Sequence, residues 1–287
     1  VTVTGAGPRR GARRQRTGNA RSAADGMKLH RRTLRLDGRE HTVIGLRPGT
    51  AARFSTNRFH DTWHVLSDGH GARVLGRLLW GLSYQSRPGT LLMIDRPFLV
   101  PTPFDGDPAD PVVLVPAWHT PFTARTARAL ARALPASRPP DGTVRWRTHG
   151  LDAALEDPKA WFARHRLVPD EGIVERLHGL VALKPRSAAE MRYWAIQAGQ
   201  MGNPSGTHGM AYDYLGPWRR SSGHSGEIQI FRDFHRDVSV ARQARAEVLA
   251  RGDAPEDPGE LRPLVWWQHG VVKDRLAASR RARPAEA

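Results

Sequence analysis

Two histidines stand four residues apart in His60-Asp61-Thr62-Trp63-His64. On a helix that spacing puts both imidazoles on one face, where they can share a zinc ion. Read this way, His60 and His64 are metal ligands and the chain is a metal-dependent hydrolase. The same residues also fit a plainer reading, in which Phe59, Trp63 and Leu66 form a buried stripe and the histidines lie at its margin.

The five residues resemble the HExxH motif of zinc peptidases, with aspartate in place of glutamate. The resemblance implies a zinc-bound water activated by the carboxylate. Here, however, the shorter side chain draws that carboxylate back by about one C–C bond, and no third ligand follows at a family spacing.

A second set of residues follows from architecture. In an open α/β sheet, ligands gather outside the carboxyl ends of the strands. The polar residues that follow the expected strands are Asp68 and His70, Asp95 and Arg96, His119 and Thr120, and His149. If those strands are parallel, the residues converge on one edge. His70, His119 and His149 are then proton-transfer groups, and Asp68 and Asp95 orient them or hold a metal.

A third set is cationic. Arg125, Arg128 and Arg132 fall at i, i+3 and i+7 of an expected helix, and Arg145-Trp146-Arg147 and Trp218-Arg219-Arg220 interleave arginine with tryptophan. Guanidinium groups clamp phosphates and indoles stack on bases, so nucleic acid is one partner these residues suit. Arginines snorkelling over buried indoles explain them equally well.

These side chains need elements to position them. Lys28 to Leu36 and His41 to Leu46 flank Asp37-Gly38, the signature of a tight β-hairpin. The segment around Phe54 to Leu66 reads equally as helix or strand. Val74, Leu75, Leu78, Leu79 and Leu82 have helical spacing, so Ala72 to Tyr84 is expected to be a packed helix. Further helices are expected over Phe122 to Leu134, Asp152 to His165, Ser187 to Met201 and Asp237 to Ala250. Strand-like runs lie at Thr90 to Ile94, Pro111 to Val115, Thr143 to Arg147, Ile173 to Leu183 and Glu227 to Phe234. Ser187-Ala-Ala-Glu190 reads as a capping box. Asp253 to Pro263 reads as a connection, and Leu264 to Leu276 as the closing element. Gly199 to Gly226 holds seven glycines together with Tyr212, Tyr214, Trp218 and His224. It reads as a functional covering loop, because loops of that length are uncommon in compact domains.

The alternation favours an α/β or α+β fold, with a mixed or mostly parallel sheet and packed helices. Residues 27 to 280 read as one domain, with a possible lobe boundary at Ala136 to Gly142. Val1 to Gly26 carries six arginines and no apolar periodicity. It is expected to be a disordered basic arm, or sequence ahead of a start at Met27, with residues 281 to 287 as a disordered tail.

Composition narrows the chemistry. With 44 Lys+Arg against 28 Asp+Glu the net charge is +16, and it remains +11 without the first 26 residues. The resulting field draws anions. The absence of cysteine removes disulfides, thiolate metal sites and a cysteine nucleophile. The chain lacks a phosphate loop, a dinucleotide fingerprint and a nucleophile elbow, and no motif specifies a cofactor. No apolar run reaches the roughly 18 residues of a membrane span, and a cytoplasmic location is expected. The combined expectation is a phosphate-bearing ligand at the strand ends, contacted by Arg96, Tyr212, Trp218 and His224. A nucleic-acid-binding protein without catalysis is the main alternative.

Overall fold

The computed structural model describes residues 26–133, 139–165, 171–202, 209–220 and 223–281. Apart from Gly26, which begins a strand, and Arg281, which ends a helix, the expected basic arm and C-terminal tail lie outside these residues. Among the described residues no helix is long and apolar enough to cross a membrane.

The fold is α/β, built on two mixed sheets. The larger contains β1 (Gly26–Leu36), β2 (Arg39–Gly45), β5 (Thr90–Ile94), β6 (Val112–Leu114), β7 (Gly142–Arg147), β8 (Ile173–Leu177) and β9 (Leu180–Lys184), in the order β7-β1-β2-β5-β6-β9-β8. Within it β2 and β5 are parallel, as are β6 and β9, and the other neighbours are antiparallel. The smaller sheet contains β3 (Phe54–Phe59), β4 (Thr62–Ser67), β10 (Met210–Leu215) and β11 (Gly226–Phe231), in the order β10-β11-β4-β3, with β4 and β11 parallel. A mostly parallel sheet is therefore not what forms. Tight hairpin turns force antiparallel neighbours at Asp37-Gly38, His60-Asp61 and His178-Gly179, where both turn residues have positive φ.

Helices α1 (Gly69–Leu82) and α5 (Ala188–Gln200) pack against each other between the sheets. Leu75, Leu78 and Leu79 of α1 and Trp194, Ala195 and Ile196 of α5 share a core with Ile44 and Leu92 of the large sheet and Val65 and Ile228 of the small one. The helices approach closely because Gly76 faces α5: a β-carbon there would lie 2.8 Å from the Ala195 carbonyl oxygen. Ser187 caps α5 as expected, accepting from the Glu190 amide at 3.0 Å. Buried Glu190 also accepts from the amides of Glu171, Gly172 and Arg186, tying the Glu171-Gly172 segment to that helix start.

The outer face of the large sheet is covered by α2 (Ala124–Ala133), whose Ala127 and Leu130 pack with Val43, Leu91 and Val113. The outer face of the small sheet is half covered by α6 (Phe234–Leu249): Phe234 and Val238 close over Leu66 and Phe231. Behind α6 lies α7 (Pro258–Arg281). It begins inside the expected Asp253 to Pro263 connection and carries Pro263 within it.

The expected helix over Asp152 to His165 forms as two pieces, α3 (His149–Glu156) and α4 (Pro158–Arg164). They are separated at Asp157-Pro158, because a residue before proline is pushed out of helical geometry. Residues 139 to 141 lead directly into β7, which pairs with β1. The expected lobe boundary at Ala136 to Gly142 therefore leads into a strand of the same sheet, and residues 136–138 of it lie outside the described residues.

Candidate functional site

The undecided segment from Phe54 to Leu66 is the β3-β4 hairpin. His60 (φ 47°) and Asp61 (φ 62°) form its turn, while aromatic and β-branched residues fill the strands. The helical HDxxH geometry does not form. His60 sits at the turn and His64 lies within β4. Among the described residues no group of three or more His, Asp or Glu stands together to hold a metal ion.

Strand alternation puts Thr62, His64 and Leu66 on the outer face of the small sheet. Pairing then places Tyr214, Glu227, His64 and Asn57 side by side across all four strands, with Tyr212, Gln229, Leu66 and Ser55 forming the next row. Near Leu66 and Phe231 this face is sealed by α6. Near Thr62, His64 and Glu227 it borders a cavity of about 430 Å³, lined also by Phe59, His60, Tyr214, Trp218, Arg220 and His224.

The floor of that cavity is buried and titratable. His64 is 3% exposed and Glu227 8%. His64 Nε2 lies 3.5 Å from Glu227 Oε2, and the other Glu227 oxygen accepts from Gln229 at 2.9 Å. Burial lowers the His64 imidazole to about 4, with nearby His60 adding to the effect. Burial raises Glu227 above the usual carboxylate range, against the opposing influence of the Gln229 hydrogen bond and His224. Each partner is thus driven toward its neutral form.

Four buried side-chain atoms of this same face have no hydrogen-bond partner among the described residues: His64 Nδ1, Gln229 Oε1, Asn57 Oδ1 and Ser55 Oγ. A buried polar atom left without a partner costs about 1–3 kcal/mol, so several on one patch require an explanation.

The wall of the cavity is aromatic. Tyr212 and Tyr214 meet edge to face at 5.7 Å, Tyr214 stacks on His224 at 4.4 Å, and Trp218 meets His224 edge-on at 5.4 Å. Thr62 fixes this wall to the hairpin by donating from its hydroxyl to the His224 carbonyl at 2.9 Å, and His224 Nδ1 is 2.7 Å from the Gly216 carbonyl oxygen. Reciprocal backbone bonds between Arg219 and Gly223 hold Trp218 in place, yet the indole remains 69% exposed. Phe59, stacked on His60 at 3.9 Å, stands at the hairpin tip.

Of the expected ligand contacts, Tyr212, Trp218 and His224 are therefore together at this site, and His60 and His64 join them. The Gly199 to Gly226 segment is not one long loop, because β10 runs through it; residues 203–208 and 221–222 lie outside the described residues. Nor does the set expected at the strand ends converge. Asp68 caps α1 by accepting from the Gly71 amide at 2.7 Å and faces His235 at 3.3 Å, with His70 exposed on the first turn of α1. Asp95 ends β5 and accepts from the Arg96 amide, while Arg96 itself is exposed. Because β6 runs opposite to β5, His119 lies at the other end of the large sheet. Its ring nitrogens are each 2.9 Å from the Thr120 hydroxyl and the Gln85 carbonyl. His149 is exposed at the start of α3 beyond edge strand β7. Arg125, Arg128 and Arg132 lie exposed on α2, with Arg125 3.3 Å from Asp37.

Sequence reasoning missed Glu227, Gln229, Asn57, Ser55 and Thr62. The available signal was the alternation of Glu227-Ile228-Gln229-Ile230-Phe231, which places two polar residues on one face of an otherwise apolar strand. No protein-family model, curated protein or solved structure matches this chain.

Proposed function

We propose that the cleft on the small sheet binds a nucleotide, either free or as one unit of a single strand, and carries out proton transfer on it. The supporting observation is a buried His64–Glu227 pair, with unpartnered polar atoms beside it, beneath an aromatic wall. Tyr214, Trp218 and Phe59 offer stacking surfaces for a planar ring. Gln229, Asn57 and the acid–base pair offer donors and acceptors for its edge. Arg220 at the rim supplies a cation for phosphate.

Neutral His64 is a base whose Nδ1 accepts a proton from a ligand hydroxyl or a water, and Glu227, whose carboxyl burial shifts toward its protonated form, is the matching acid. After such a step His64 carries the extra proton and Glu227 has lost one. Transfer of the Nε2 proton across the 3.5 Å between them neutralises both and leaves the imidazole in its other tautomer, with Nδ1 protonated.

Titration of the intact chain at low salt with mononucleotides and a short single-stranded oligonucleotide, followed by tryptophan fluorescence, tests the binding. Saturable quenching is expected, weakened about tenfold or more in Trp218→Ala, since base stacking is worth about 1–3 kcal/mol. Absence of saturable binding to any of these probes, or equal affinity in that variant, overturns the reading. A second reading, duplex contact through α2, is favoured by the exposure of Arg125, Arg128 and Arg132. Reversing all three charges should then reduce the salt dependence of duplex binding, and an unchanged slope removes that surface.

A further inference from the structure

The large sheet holds a cavity of its own, of about 540 Å³, where parallel β2 and β5 end. Strand alternation puts His30 and Arg32 of β1 on the outer face there. The backbone pairing His30–Gly45–Met93 forms the floor, and Arg32 Nη1 lies 3.6 Å from where a Gly45 β-carbon would stand. Phe98 and the prolines Pro48, Pro97, Pro139 and Pro140 wall the sides, so the space combines a rigid apolar rim with charged groups.

The balance of those charges points to the occupant. Arg32, 8% exposed, faces Asp95, which is also buried and caps the turn that follows β5. That pair is close to neutral. Arg53 is bound through Nη1 to the carbonyls of Thr50 and Ala52 and has no carboxylate partner among the described residues. His30 sits between Arg32 and Arg47, and its imidazole is lowered by burial and by both guanidinium groups. Asp141, which also acts on Arg32, offsets Arg47, so the cavity lacks about two negative charges once His30 takes a proton.

We propose that this cavity is a second, separate binding site for a small organic phosphate. Its dianionic group would lie between Arg53, Arg32 and His30, and its apolar part against Met93 and Phe98. Guanidinium forks suit phosphate oxygens, and burial strengthens the contact. Binding would draw a proton onto His30, because a dianion reverses the influence of Arg32 and Arg47.

Calorimetric titration of the intact chain with phenyl phosphate, run in two buffers of different ionisation enthalpy, tests the inference. Saturable binding with net proton uptake near neutral pH is expected, weakened about tenfold or more in Arg53→Gln, since a hydrogen bond to a charged group is worth at least that factor. Inorganic phosphate should bind more weakly, because it leaves the apolar walls unused. Trp218→Ala and His64→Gln should leave phenyl phosphate affinity unchanged, which separates this site from the cleft on the small sheet. No saturable binding, equal affinity in Arg53→Gln, or a loss that follows Trp218 instead overturns the inference. His30→Gln, at a half-buried position in the cavity, provides a second check: it should abolish the proton uptake while leaving the fold intact, and persistent uptake likewise overturns it.

Discussion

Replacing His64 with glutamine tests whether the acid–base pair is desolvated as its burial implies. Folded His64 takes up a proton only near pH 4, whereas the unfolded side chain does so near 6.5. Between those values the unfolded state binds more protons, so stability rises with pH. The contribution is complete above the unfolded value and is lost as pH falls below it. From this shift, the loss between about pH 8 and pH 5 is about 2 kcal/mol, and it approaches about 3 kcal/mol near pH 4. Glu227 works in the opposite sense. Its raised folded value favours folding at low pH, and that contribution fades as pH rises through it. A wild-type profile therefore mixes the two, but the difference between wild type and His64→Gln isolates the imidazole, since glutamine keeps a polar group and loses the titration. Urea unfolding followed by fluorescence at about pH 8 and pH 5 should show the wild type losing about 2 kcal/mol more than the variant. Parallel losses would mean that His64 is solvated, and its assignment as a buried neutral base would fail.

Two further substitutions test the framework that holds the site. A valine at Gly76 would put its β-carbon 2.8 Å from the Ala195 carbonyl oxygen and 3.2 Å from the Gly199 amide nitrogen. Forcing α1 and α5 apart should cost about 1–3 kcal/mol, read as a lower urea midpoint at unchanged slope; an unchanged midpoint would show that the helix contact yields freely. Arg262 pairs with buried Asp105 at 2.9 Å and pins α7 to the loop after β5. Since the guanidinium is partly exposed, Arg262→Gln should cost about 1–2 kcal/mol by chemical denaturation, and a cost within error would show that the Thr102 and Asp107 contacts suffice for Asp105.

Elements whose information is local were legible in the sequence. Asp37-Gly38 names its own hairpin, the leucines of α1 mark its buried face, and Ser187 announces the start of α5. The β3-β4 turn was not legible, because His60-Asp61 is an uncommon pair for two positive φ angles; aspartate tolerates that conformation only through its short polar side chain. The helical reading of the two histidines failed for that reason, although both still reach one cavity. Glu227 was missed for a different reason: it meets His64 only through the parallel pairing of β4 and β11, which no local spacing records.

The position of the cleft also departs from the rule that led to Asp68, Asp95 and His119. That rule places ligands beyond the carboxyl ends of parallel strands. In the small sheet the carboxyl ends of β4 and β11 are occupied, because the chain turns straight from Phe231 into α6 and lays Phe234 and Val238 over Leu66 and Phe231. The polar half of the face, at Thr62, His64 and Glu227, is left as the open end. In the large sheet α2 covers the middle of the outer face, and the carboxyl ends of β2 and β5 stay open beside Asp95. The cavity thus stands away from the carboxyl ends in one sheet and at them in the other, according to which end of the face a following helix covers. The two cavities differ accordingly: an acid–base pair drawn toward neutrality beneath aromatic rings, and unmatched cations behind proline walls. Mutations that silence one should leave the other intact.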